Sequence, residues 1–151
     1  MKFKKTLILA SIALFLPVSL IHAKGDMSNQ KPIEIKVYLG DSSNPYQFKP
    51  STINLETGKL FRLKLINTSQ TKHYFTSNKF ASSIFTRKVQ VMDKNDKTLA
   101  EVKGAISTVE VYPGQTLEWW FVPIKSGTFN DLHCNIKGHT EAGMKGKIVI
   151  R

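Results

Sequence analysis

The sequence holds one cysteine in 151 residues, which excludes an internal disulfide and every metal or cluster site built on four cysteines. Cys134 is therefore a buried thiol, a nucleophile or a metal ligand. Glycine and proline are scarce as well, at 9 and 6, too few for a collagen-like or low-complexity chain. Disorder is excluded from the other side, since 9 Phe, 4 Tyr and 2 Trp give ample apolar surface to bury. Acidic groups are in short supply, 11 Asp and Glu against 22 Lys and Arg. Long hydrophobic runs are missing too: the stretch from Leu7 to Ile21, broken by Ser11, Pro17 and Ser19, is shorter than the roughly 20 residues a membrane helix needs.

That short run has another reading. Lys2, Lys4 and Lys5 precede it, Ala23 closes it, and the polar Lys24-Gly25-Asp26 follows, which is the pattern of a secretory signal peptide over residues 1–23. Its removal takes three Lys and no acid, so residues 24–151 carry 19 basic and 11 acidic groups, a net charge near +8. An exported, periplasmic protein with acidic partners is expected, any membrane contact being peripheral. Nucleic-acid binding is set aside, because no helix-turn-helix or stacking motif accompanies the charge.

Residues 24–151 read as a single domain. Ile33, Ile35, Val37 and Leu39 alternate with Glu34, Lys36 and Tyr38, as on a half-buried strand, and Phe61, Leu63 and Leu65 do the same against Arg62 and Lys64. Val109–Tyr112 stops at Pro113-Gly114, Thr116–Val122 stops at Pro123, and Thr128–Cys134 and Lys147–Ile150 complete the series. Seven or eight short strands punctuated by turns predict an all-β sandwich of Greek-key type. Between residues 76 and 108 the pattern is weaker. Asn78 is placed to cap a short helix through Phe85, and strand-like pieces at Val89–Val91 and Thr98–Ala100 flank the turn-like Asp93–Lys97. Trp119 and Trp120 are neighbours on one strand, so one is expected in the core and the other on the outer face.

The chemistry concentrates near the C-terminus. Cys134, His139 and Met144 follow one another at intervals of five, and His73 comes after a strand and a polar loop. Thiolate, two imidazoles and a thioether form the donor set of a trigonal copper site with a weak axial methionine, and soft sulfur disfavours calcium, magnesium and manganese. Gly138 permits the turn that swings His139 back toward Cys134, while Gly143 and Gly146 let Met144 approach before the last strand. His22 lies in the leader, and His133 neighbours Cys134 on a strand and so points away from it. Two rivals remain: zinc, which Cys and two His can hold, and a cysteine hydrolase using Asn135 or Glu141 to orient a histidine base.

With these residues the chain resembles the blue copper proteins, the cupredoxins. The likeness runs from strand Ile33–Leu39 through Asn67 to His73, the turn Tyr112-Pro113-Gly114-Gln115, the strand before Pro123, and the loop Cys134–Met144. The Cys-to-His interval is like that of azurin and rusticyanin, and the His-to-Met interval like that of rusticyanin and plastocyanin. The resemblance implies one type 1 copper bound by His73, Cys134, His139 and Met144. It further implies a monomeric electron carrier between redox proteins such as cytochromes or oxidases, not an enzyme. Copper carriage or buffering is the alternative function. Tyr74 stands where plastocyanin and azurin have an asparagine that braces the cysteine loop, and Lys72 where azurin has glycine, so no reduction potential carries over.

Overall fold

A computed structural model describes residues 29–151; the expected signal peptide lies outside the described residues. Eleven strands and one helical turn follow in chain order: β1 (Ile33–Leu39), β2 (Phe48–Lys49), β3 (Thr52–Leu55), β4 (Phe61–Ile66), β5 (His73–Thr76), α1 (Asn78–Ala81), β6 (Ile84–Met92), β7 (Thr98–Val102), β8 (Thr108–Val111), β9 (Thr116–Pro123), β10 (Gly127–His133) and β11 (Lys145–Ile150). They form two sheets, ordered β2-β1-β4-β9-β6-β7 and β3-β11-β10-β5-β8. The predicted all-β sandwich is what the chain adopts. Two parallel pairings, β1 with β4 and β11 with β3, interrupt otherwise antiparallel sheets.

The period-two pattern explains which faces meet. Phe61, Leu63 and Leu65 of β4 point inward with Leu117, Trp119 and Phe121 of β9, their register partners. Trp119 is fully buried and packs edge-on against Phe75 and Phe80, at ring separations of 6.3 and 5.7 Å. Trp120, on the outer face, lies between the Arg62 guanidinium and the Lys88 ammonium, 5.3 and 5.0 Å from its ring centre. Cations over an indole face gain about 0.5–1 kcal/mol each at exposed sites, so the outer tryptophan is also partnered.

The weakly patterned stretch resolves into a short turn and a hairpin. Ser77, not Asn78, caps α1: its backbone is extended and its hydroxyl accepts the Phe80 N–H. The helix ends at Ala81 rather than Phe85, because the Ser82 and Ser83 hydroxyls fold back onto the Lys79 carbonyl and the chain enters β6. The turn exists to drive Phe80 into the aromatic core, burial worth about 2–3 kcal/mol. The strand-like pieces become β6 and β7, joined through Asp93–Lys97, where the Asp93 carboxylate accepts the Asn95 and Lys97 N–H groups. Asp131 anchors this region to β10 by accepting from the Ser77 hydroxyl and the Lys79 N–H.

Candidate metal centre

Two chain segments 61 residues apart meet at one end of the sandwich. The first enters β5 through residues 67–72 and delivers His73, which is fully buried. Asn67 organises this loop. Its side-chain N–H groups donate to the carbonyls of Thr71 and Val111, both at 2.8 Å, and its side-chain oxygen accepts the Ser69 N–H at 3.0 Å. Its backbone pairs with Gly114 and Gln115, tying the loop to the turn between β8 and β9. Asn67-Thr68-Ser69 has the form of a glycosylation sequon, but an asparagine with 1% exposure and both amide hydrogens committed is no acceptor for sugar.

The second segment leaves β10 at Cys134 and returns at β11. Gly138 takes φ +87°, a conformation that costs a side-chain-bearing residue about 1–2 kcal/mol, and thereby reverses the chain just before His139. Met144 donates its N–H to the His139 carbonyl and accepts the Cys134 N–H, at 2.9 and 3.2 Å, so the five-and-five spacing closes on itself through backbone bonds. The Thr140 hydroxyl adds a bond to the Cys134 carbonyl. Gly146 serves packing rather than turning: a Cβ there would stand 2.7 Å from the Ser51 carbonyl oxygen and 2.8 Å from a Leu132 methyl.

These segments bring Cys134, His73 and His139 together, their donor atoms all within 4.8 Å of one another. Cys134 Sγ lies 3.4 Å from His139 Nδ1 and 3.9 Å from His73 Nδ1. A trigonal metal with bonds of about 2.3 Å to sulfur and 2.0 Å to nitrogen would separate such donors by roughly 3.7 Å, so the pocket has the dimensions of a coordination sphere. Burial, and then the neighbouring His139, push His73 down to about 4, and burial lowers His139 as well. Both imidazoles are thus neutral near pH 7, the form in which they ligate. The Tyr74 N–H donates to Cys134 Sγ at 3.3 Å, which ties the sulfur to the strand that carries His73.

Met144 is fully buried in the same loop, and His139, at 9% exposure, is the donor nearest solvent, its ring edge-on to Tyr46 at 4.8 Å. His133 stands outside the cluster, its Nδ1 against the Asp131 carbonyl. The donor set, three strong ligands in a plane-sized gap plus a buried thioether in the loop, fits a type 1 copper centre. The sequence reading did not single out Ser69, Thr71, Tyr46 and Thr140 around this cluster. A hydroxyl-rich run before His73 was the available signal for the first two.

The model of the multicopper oxidase family matches residues 14–151. The copper-resistant cuproprotein CopI of Rubrivivax gelatinosus is 32% identical over 110 residues, an alignment covering 72% of this chain and 62% of that protein. The chain therefore spans about three-fifths of that relative. Among solved structures, a multicopper oxidase from Campylobacter jejuni, described as a metallo-oxidase, superposes with a TM-score of 0.59 at 17% identity, over 83% of this chain and 31% of its own. Auracyanin A, a "blue" copper protein from Chloroflexus aurantiacus, superposes at 0.51 with 15% identity, over 80% and 100%. At these identities both show the fold alone.

One expectation is overturned. The resemblance to small blue copper proteins implies a non-enzyme, yet the matching family is one of oxidases. The reason lies in the fold: a part of the metallo-oxidase and the whole of the "blue" copper protein superpose on the same sandwich, so the fold by itself does not separate carriers from oxidases. The buried cysteine–histidine cluster, the sandwich that holds it and the family match lead to one conclusion: the chain is a cupredoxin-fold copper protein and belongs to the multicopper oxidase family.

Proposed function

We propose that His73, Cys134 and His139 hold one copper ion, with Met144 as the weak axial donor, and that the site passes single electrons. Bound copper supplies a Cu(II)/Cu(I) couple. The chain's own part is to keep the donors in place in both oxidation states. The observation that carries this reading is the preformed gap of 3.4 and 3.9 Å between Cys134 Sγ and the two Nδ1 atoms. A site that needs no rearrangement to accept its ion has little to rearrange when the ion's charge changes.

Electrons enter or leave by the edge of His139, the donor nearest solvent. Lys137, Lys145 and Lys147 are exposed around the same loop and give it a positive rim suited to acidic redox proteins. The donor of the electron is an oxidisable substrate or a reduced protein, which places the step within oxidase chemistry as well as electron carriage. The leader-like residues 1–23 support export to the periplasm.

The test is a Cu(II) titration of the protein followed by visible absorption and electron paramagnetic resonance. An intense thiolate-to-copper band with narrow copper hyperfine splitting, reaching its limit at one equivalent and absent in Cys134→Ser, is expected. A colourless Cu(II) complex overturns the assignment. A second reading, copper handling, is favoured by the likeness to a cuproprotein whose name records copper resistance. It predicts transfer of the bound ion to a competing chelator or acceptor within minutes, whereas the redox reading predicts retention through repeated oxidation and reduction.

A further inference from the structure

Ser69 is 3% exposed, and its hydroxyl oxygen sits among four polar groups. His73 Nε2 is 2.8 Å away, the Thr71 carbonyl 2.8 Å, the Asn67 side-chain oxygen 2.9 Å, and the Thr71 N–H donates to it at 3.2 Å. The hydroxyl has one hydrogen to give. If that hydrogen went to His73 Nε2, two oxygen–oxygen contacts of 2.8 and 2.9 Å would stand with no proton between them. If instead Nε2 carries the proton and donates it, the hydroxyl hydrogen serves one of the two oxygens and a single such contact remains. The network therefore selects the Nε2–H form of His73, which leaves the Nδ1 lone pair facing Cys134 Sγ.

The backing of this contact is rigid. Thr68 fastens the loop to the Gly40 carbonyl, and Gly40 approaches so closely that a Cβ there would meet Ser69 Cβ at 3.0 Å and the Pro45 carbonyl oxygen at 2.4 Å. Among the described residues, Thr71 Oγ1, at 3.3 Å from Nε2, is the one further side-chain oxygen in reach of that nitrogen. We propose that Ser69 is a positioning residue for metal capture, fixing the tautomer and ring orientation of His73 before any metal arrives. This rests on the proposed copper site but concerns the metal-free chain. Partners of this kind, hydrogen-bonded to the far nitrogen of a ligating imidazole, change metal affinity by 10–100-fold when removed.

The experiment is nitrogen-15 NMR on the metal-free full chain, at a pH well above the ordinary imidazole value of about 6.5, where long-range couplings distinguish Nδ1–H from Nε2–H. Wild type is expected to show His73 wholly as Nε2–H. Ser69→Ala combined with Thr71→Val is expected to populate Nδ1–H and to bind Co(II) on the order of 10-fold more weakly. A wild-type Nδ1–H ring overturns the proposal, and so does a double variant that keeps either the wild-type tautomer or the wild-type Co(II) affinity. Should the double variant not fold, Ser69→Ala alone takes its place with the same two readouts and the same outcomes. The Cu(II) titration above reports separately on the copper assignment, so failure of one leaves the other readable.

Discussion

The two loops that assemble the cluster are held in opposite ways. Residues 67–72 are fixed by side chains, chiefly the Asn67 amide and the Ser69 hydroxyl, whereas residues 134–144 are fixed by their own backbone and by a glycine in a left-handed turn. A side-chain-held loop fails when one residue is lost, because several buried groups lose their partners together. A backbone-held loop distributes the same task, and each substitution removes a small part of it.

The largest effect is therefore expected at Asn67. Asn67→Ala removes one donor each from the Thr71 and Val111 carbonyls and leaves the buried Ser69 N–H without its partner; at 1–3 kcal/mol for the orphan and about 1 kcal/mol for each lost bond, the loss is about 3 kcal/mol. Thermal unfolding should read it as a fall in Tm of roughly 10 °C, and a fall under 3 °C would break the contrast between the loops. Gly138→Ala should cost about 1–2 kcal/mol, all from φ, since nothing lies within 4 Å of the added methyl. Denaturant unfolding of the metal-free protein measures it.

Met144→Leu conserves volume and leaves the backbone bonds intact, so stability should move by less than about 1.5 kcal/mol. The blue band should persist while the reduction potential, followed by voltammetry, shifts; an unchanged potential would remove Met144 from the axial role. Asp131 lies outside both loops and serves as the control. Burial works to raise its carboxyl, but the Lys79 N–H and Ser77 hydroxyl outweigh it and hold the group below its usual range. Its contribution is thus fully present above the unfolded carboxylate value and is lost as pH falls from there through the lowered folded value. Asp131→Asn should flatten the acid limb of stability against pH without touching the copper spectrum.

The same contrast explains what could be read from the amino acids. Cys134, His139 and Met144 announce themselves because a backbone-held loop writes its geometry into spacing and glycine placement. The sandwich was legible for a similar reason, as alternation in β4 and β9 follows from the pleat itself. Ser69 and Asn67 left no periodic trace: Asn67 acts partly through the Val111 carbonyl 44 residues away, and Ser69 through a local turn whose hydroxyl contacts no strand or helix period encodes. The bond from the Tyr74 N–H to Cys134 Sγ is made by a main-chain group that every residue but proline carries, so no side chain signals it. Ser77 and Asn78 are both good helix caps, and the choice between them was made by the Asp131 carboxylate on another strand.

The separation of His73 from Cys134 in the chain also imposes an order in time. Contacts between distant segments form late in folding, since the closure entropy of the intervening loop must be overcome first. The strands between them include β9, which joins β4 to β6 across the middle of the larger sheet, so His73 and Cys134 meet once the sandwich is assembled. A newly made chain therefore presents scattered thiol and imidazole groups and no chelate. On the proposed copper site, high-affinity metal uptake is expected to begin when the polypeptide has finished folding, and the colour of the copper complex would then serve as a clock for that event.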